Sequence, residues 1–390
     1  MREIAAGVAA HELAPGSIDA RVDRALLRTY LSQDGAVPDD DDEGGALLAA
    51  AVTLFGSGGF PPSLFSGAGR VGFGVAHLAA GEEADEVCGA IESALMRRLE
   101  ETPWTADYDL IIGLVGIGVC GLERSDHDGG RALCARVLDQ LEATARERGG
   151  GVAWHTSPDL LPEWQRQIAP EGYWNLGLAH GNPGVAALLA RMVSHGVETD
   201  RARALLEKSM TFLLGAEPPR ERGRYPSWHP AADEKGSTRL AWCYGDLGAC
   251  VAFLSAAQAT GNAQWRDEAL TMARACATRT FDEAAVHDAG LCHGTIGAAH
   301  IFNRLWQATG EDVFANAART WIDHTFRIRN DQAIAGFPSA AREPPDYKTS
   351  WNADDSLLSG AIGVALALHA AVSEVEPTWD RLLLADLPIA

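Results

Sequence analysis

The chain has 390 residues, 47% of them hydrophobic, and its 32 Lys plus Arg against 53 Asp plus Glu give a net charge of −21. That length can bury a large core, built as two modest domains or as one repeat-built domain. The acidic balance opposes phosphate backbones and anionic lipid surfaces, which excludes a nucleic-acid partner.

The first residues, MREIAAGVAAHELAPGSIDA, interrupt a short Ala/Val run with charges and lack a signal-peptide core. No stretch approaches the roughly 18 to 20 apolar residues of a membrane span. A cytoplasmic protein is expected, with any membrane contact peripheral. The acidic run Asp39 to Glu43 reads as a solvated loop. As a terpene cyclase's magnesium motif it would need a second carboxylate motif in a corresponding repeat, and none pairs with it.

Further along, G-x-x-G followed by an apolar run recurs six times, with first glycines Gly69, Gly113, Gly181, Gly245, Gly294 and Gly360. The intervening segments 131–149, 201–215 and 265–281 place apolar residues at i, i+3, i+4 and i+7, which predicts amphipathic helices. The segments after each G-x-x-G are apolar nearly all round, as helices buried on both sides are. Strand-like alternation is scarce. Alternating inner and outer helices in six or so hairpins must close into a ring or stack as a solenoid, and the mouth of a ring would carry the glycine turns. Residues 145–176 and 216–238, rich in Pro, Gly and aromatics, break the rhythm and read as insertions above that mouth.

The odd count of seven cysteines argues against disulfides in a cytoplasmic chain. Cys88, Cys120, Cys134, Cys250 and Cys276 read as small core residues. The residues just before each first glycine are Gly67-Ala68, Ile111-Ile112, Ala179-His180, Cys243-Tyr244, Cys292-His293 and Leu358-Ser359. Apart from Ser359, polar chemistry is confined to three consecutive repeats. If equivalent positions share a height on a ring, His180, Cys243, Cys292 and His293 converge at its rim. Two thiolates and an imidazole there match a catalytic zinc site with one vacant position. The alternative is that both cysteines pack at helix starts and His293 caps. His77, His300 and His369 lie on helical segments past the glycines and read as structural.

NLGLAHGNPG, WCYGDLG and LCHGTIG, in this order and with these separations, closely resemble the motifs of the LanC-like lanthionine synthetases, the class I lanthipeptide cyclases. DLIIGLVGIG and SLLSGAIGVALAL look like earlier and later repeats of the family, so the resemblance covers most of the chain. It implies an all-α fold: an α/α toroid of inner and outer helices from six to seven hairpins, one domain over residues 1–390, with a small irregular or β-containing insertion over the mouth. By motif it implies Cys243, Cys292 and His293 as zinc ligands and His180 as the acid/base residue. Tyr244 would lie beside the metal, with Arg239 and Asp109 as supporting partners. The implied reaction adds peptide cysteine thiols to dehydroalanine or dehydrobutyrine, giving thioether rings. A dehydrated precursor peptide, leader plus core, and a dehydratase are the implied partners, the latter in a biosynthetic complex that would bring any membrane contact. Insertion 145–176 is short beside the β-rich extension of some members.

Zinc deprotonates a thiol that is only a few per cent thiolate at neutral pH. Attack on the β-carbon then produces an enolate that needs a proton at the α-carbon, which His180 is placed to supply. Three alternatives stay open: glutathione addition to dehydro residues on the same metal, a non-catalytic peptide-binding scaffold, and an α/α-barrel glycosidase, which would need a pair of opposed carboxylates.

Overall fold

The computed structural model describes residues 1–38, 42–216, 223–229, 238–331, 333–342 and 349–389. Helices dominate and come in pairs. After α1 (Arg2–Ala10), α2 (Ile18–Gln33) is followed by α3 (Glu43–Phe55), α4 (Ala68–Leu78) by α5 (Glu82–Arg98), and α6 (Leu114–Leu122) by α7 (Asp128–Thr144). An insertion carrying the short α8 (Glu163–Ile168) precedes α9 (Asn182–Ser194) and α10 (Thr199–Ala216). Then come α11 (Asp246–Thr260) with α12 (Ala263–Ala277), the one-turn α13 (Phe281–Ala284), α14 (Thr295–Thr309) with α15 (Asp312–Arg327), and α16 (Ala361–Val372).

The first member of most pairs is hidden on all sides: every residue of α6 is buried, as are Asn182–Val193 of α9 and Asp246–Ala257 of α11. Second members bury a single stripe, and α12 hides Trp265, Ala269, Met272, Ala273 and Cys276 while its other face meets water. A helix hidden all round needs neighbours on both sides, so the first members form an inner ring and the second an outer one. Contacts run from α2 through α4, α6, α9, α11 and α14 to α16, and α16 returns to α2. The fold is an α/α toroid. Its seam is polar: the Leu357 N–H donates to Asp23 at 2.8 Å, and Arg24 pairs with Asp355 at 2.6 Å.

The inner helix α2 carries no glycine motif. Its cap is Ser17, whose hydroxyl accepts the Ala20 N–H at 3.4 Å, so the ring has one more inner helix than the glycine pattern marks. The first repeat also shifts register by two residues. The residue capping α4 is Gly67, not Gly69, so Phe65-Ser66 rather than Gly67-Ala68 occupy the positions just before the turn.

The glycines serve close approach more than unusual dihedrals, since only Gly245 among the six caps has a positive φ, 86°. A Cβ on Gly113 would lie 2.4 Å from the Asp107 carbonyl oxygen, and one on Gly297 1.9 Å from that of Leu291. Each lead-in segment thus folds back across the first turn of its own helix. Glycine to alanine inside an ordinary helix stabilises by about 1 kcal/mol. Gly297→Ala is expected to reverse that sign and cost roughly 4 kcal/mol or more; a denaturation midpoint at or above wild type would contradict the packing.

Residues 145–149, where the helical pattern and the expected insertion overlap, leave the helix and enter a hairpin of β1 (Arg146–Arg148) and β2 (Gly151–Ala153). Gly149 and Gly150, with φ of 58° and 80°, make the two-residue turn that only such residues accommodate easily. Beyond α8, β3 (Trp174–Asn175) pairs antiparallel with β4 (Trp228–His229), the latter within the expected insertion 216–238, most of which lies outside the described residues. A third hairpin joins β5 (Ser339–Arg342) to β6 (Thr349–Asn352). Asp39 to Asp41 of the acidic run also lie outside the described residues, while Asp42 caps α3 by accepting the Gly45 N–H at 3.1 Å. Among the described residues no helix is long and apolar enough to cross a membrane.

The end of the chain fills the ring's axis. The 3-10 turn Thr378–Leu383 is bonded to Tyr30 of α2 through Thr378 (2.7 Å), to Glu123 at the end of α6 through Arg381 (3.1 Å), and to His300 of α14 through Asp380 (3.0 Å). Trp242, ahead of α11, donates its indole N–H to the Leu383 carbonyl at 2.9 Å, and Arg191 of α9 reaches Asp386 at 3.0 Å. A short segment touching so many members of a ring sits at its centre. His77 and His369, paired with Glu123 at 2.7 Å and Asp34 at 2.8 Å, belong to the same buried polar scaffolding.

Candidate active site and metal centre

The residues before the glycine turns are stitched together around the rim by backbone hydrogen bonds. Leu110 N–H donates to Ala179 (3.0 Å), Ala179 to Cys243 (3.3 Å), Cys243 to Cys292 (3.3 Å) and Cys292 to Leu358 (2.8 Å). From Ala179 onward these are the same position in successive repeats, two residues before the capping glycine. Remote stretches of sequence thereby become neighbours.

At two of those positions stand the cysteines. Ligand atoms of Cys243, Cys292 and His293 all lie within 4.8 Å of one another, and among the described residues they form the one such group that could hold a metal ion. Cys243 is buried, the other two half-buried. His293 Nε2 is 3.5 Å from the Asp288 carboxylate, whereas its Nδ1 is buried without a hydrogen-bond partner. A buried, unpartnered ring nitrogen beside two sulfurs is the donor set a metal would complete, and soft thiolates with one imidazole suit zinc.

The electrostatics separate these cysteines from the rest. Burial pushes the thiols of Cys88, Cys134 and Cys276 up to about 11, 12 and 12, and those of Cys120 and Cys250 up as well. Cys243 goes the other way. Its hydrogen bond with Cys292 holds it well below the usual thiol range against the effect of burial, helped by His293 and the Arg239 charge. Cys292, on the donor side of that pair, is raised. His293 reaches about 9: burial opposes its charge, but Asp288 and Cys243 outweigh burial. Arg239, half-buried, lies close enough for its charge to act on both sulfurs.

Next along the rim, His180 Nδ1 is 2.7 Å from one oxygen of Asp109. The other Asp109 oxygen accepts the Ile112 N–H at 2.8 Å, so the carboxylate is pinned from both sides. Burial lowers the His180 pKa, yet the bond to Asp109 and the surrounding negative charge raise it overall. Tyr244 stacks on the His180 ring with centroids 5.7 Å apart and its hydroxyl accepts from Asn175 Nδ2 at 3.3 Å. Beside them opens a cavity of about 240 Å³, lined by Asp107, Asp109, His180 and Tyr244 from the rim and by Thr156 and Tyr173 from the insertion. Asp107, half-buried, is raised to about 6 by loss of solvent and by the neighbouring Asp109 charge.

The same architecture is found elsewhere. A family model described as lanthionine synthetase C-like protein matches residues 46–384. The chain belongs to that family. Nisin biosynthesis protein NisC of Lactococcus lactis subsp. lactis is 25% identical over 301 residues, covering 70% of this chain and 70% of that protein. The solved structure of nisin cyclase superposes with a TM-score of 0.75 at 20% identity, over 93% of this chain and 90% of that one, a likeness of fold.

In this lanthionine synthetase C-like chain the structure brings together all seven residues singled out from sequence: Cys243, Cys292 and His293 in one cluster with Arg239 beside it, then His180, Asp109 and Tyr244 along the same rim. Sequence reasoning missed Asp288 and Asn175. A signal existed: each stands six residues before its capping glycine, where Asp107 and Asp354 also stand in their repeats.

Proposed function

We propose that the chain is a zinc-dependent cyclase that adds cysteine thiols of a dehydrated precursor peptide to its dehydroalanine or dehydrobutyrine residues, forming lanthionine and methyllanthionine rings. The observation that carries this is the convergence of Cys243, Cys292 and His293 within 4.8 Å, with a buried unpartnered nitrogen, on the same rim as the His180–Asp109 pair. NisC and nisin cyclase, named for nisin biosynthesis and cyclisation, agree with it.

A zinc ion held by these three side chains would lower the pKa of a substrate thiol entering its open position and so supply a nucleophilic sulfur at neutral pH. The chain's own residues do the rest. In the overall addition the S–Cβ bond forms, the Cα=Cβ double bond is consumed, and the proton lost by sulfur is matched by one gained at Cα. Asp109 holds His180 by Nδ1, leaving Nε2 as the nitrogen that serves substrate, and the raised pKa favours the imidazolium, the form able to donate. His180 Nε2 therefore delivers the proton to the α-carbon of the enolate. Tyr244, stacked on the imidazole, restricts its tilt. Arg239 offsets negative charge at the sulfurs. Tyr173 and Thr156 of the insertion cover the cavity and limit water there. The peptide reaches the rim from solvent, with a dehydratase supplying its dehydro residues, and the work is done in the cytoplasm.

His180→Ala is expected to retain one zinc per chain while ring formation falls by about 10² to 10⁴, the usual worth of a general acid. Mass spectrometry of a dehydrated peptide after thiol alkylation reads rings directly. Wild-type turnover in that variant would remove His180 from the mechanism, and a wild-type chain that joins glutathione to the peptide but closes no ring would overturn cyclisation.

A further inference from the structure

The position six residues before the capping glycine is polar or charged in five repeats, at Asp107, Asn175, Arg239, Asp288 and Asp354. Asn175, Asp288 and Asp354 each turn a side-chain oxygen back onto the N–H two residues ahead: Asn175 to Gly177 at 2.9 Å, Asp288 to Gly290 at 3.2 Å, Asp354 to Ser356 at 2.8 Å. This local turn shapes the lead-in segment in three repeats. It uses one atom of a two-headed side chain and leaves the other free.

At two repeats the free atom points to the site. The Nδ2 of Asn175 donates to the Tyr244 hydroxyl at 3.3 Å. The second oxygen of Asp288 lies 3.5 Å from His293 Nε2 and accepts the Ala340 N–H of β5 at 3.4 Å. Asp288 is 1% exposed, an acid buried among named partners. Gly294 makes room for it, since a Cβ there would meet Asp288 Oδ1 at 2.5 Å.

We propose that Asp288 is a positioning residue of the metal centre, holding His293 as the Nε2–H tautomer so that Nδ1 is the nitrogen offered to zinc, and tying that imidazole to the β5–β6 hairpin. A ligating imidazole that donates its other N–H to a carboxylate has both tautomer and ring orientation fixed. The partnerless Nδ1 of His293 is the counterpart of that arrangement. Arg239 holds the corresponding position in the neighbouring repeat, so one position supplies a cation beside the sulfurs and an anion beside the imidazole. The proposal rests on the metal reading above.

Asp288→Asn is the informative variant, because Asn175 shows that an asparagine at this position still makes the local turn. In the full-length protein it is expected to keep a wild-type circular dichroism spectrum while zinc affinity, read by chelator competition, falls about 10- to 100-fold. Recorded above the raised His293 pKa of about 9, where the ring is neutral, its ¹⁵N shifts should report Nε2–H in the metal-free wild type and a mixture of tautomers in the variant. A folded Asp288→Asn with wild-type zinc affinity overturns the proposal. Should the variant fail to fold, the wild-type spectrum decides alone: an Nδ1–H tautomer in the metal-free protein overturns it as well. A wild type that binds no zinc overturns the metal reading instead, and the tautomer then tests the Asp288–His293 contact by itself.

Discussion

Cys292→Ala is expected to leave the chain without bound zinc and without ring-forming activity. A structural zinc site is worth about 10 to 16 kcal/mol shared among its ligands, so losing one of three protein ligands weakens binding by roughly 10³-fold. Metal content after gel filtration and ring count by mass spectrometry should fall together. The Cys292 backbone, bonded to Cys243 and Leu358, does not depend on the side chain, so the variant should fold. Full zinc occupancy in a folded Cys292→Ala protein would remove this residue from the ligand set, and Cys250→Ala, a buried cysteine outside the cluster, serves as the control that should keep its metal.

Trp379→Ala should produce the largest loss of stability among single substitutions away from the mouth. Its side chain is fully buried on the ring axis and stacks on His300 with centroids 4.8 Å apart. Truncating a buried tryptophan costs about 3 to 5 kcal/mol, and cavity formation adds to the transfer loss. Here the hole would open among His300, Arg304 and Asp380, all buried, whose ion pairs at 3.0 and 3.1 Å depend on exclusion of water. Chemical denaturation monitored by circular dichroism should show the midpoint falling, and an unchanged midpoint would contradict an axial support.

Much of the toroid was legible because its repeats carry a visible mark. G-x-x-G followed by an all-apolar run announces an inner helix at Gly113, Gly181, Gly245, Gly294 and Gly360, and the physical demand behind it is room for a carbonyl to cross the helix. Where that demand is met otherwise, the pattern goes silent. Ser17 caps α2 with a hydroxyl, and the first glycine repeat offers two candidate glycines, of which the cap is Gly67. The β-strands left no mark in the residue pattern, because two to four residues are too short for alternation to show, and only the family resemblance led to an expectation of β structure in an insertion over the mouth. The axial 3-10 turn has no helical period and declares itself only through partners scattered along the whole chain.

The site was legible through register. Comparing the two residues before each glycine singles out His180, Cys243, Cys292 and His293, and the rim's backbone bonds explain why that comparison works, since they join equivalent positions of neighbouring repeats. Asp288 escaped because it lies outside those two residues and looks like an ordinary turn aspartate. Its second role exists only where a histidine folds back toward it.

The rim bonds also set an order of events during synthesis. Cys292 is held by the carbonyl of Leu358, and Leu357 in turn by Asp23 near the other end of the chain. A ribosome that has released Cys243, Cys292 and His293 has therefore not yet released their keystone. The native geometry of the cluster thus waits for the last inner helix to emerge and meet the first, so a stalled or prematurely terminated chain carries the thiols but not the pocket that gathers them.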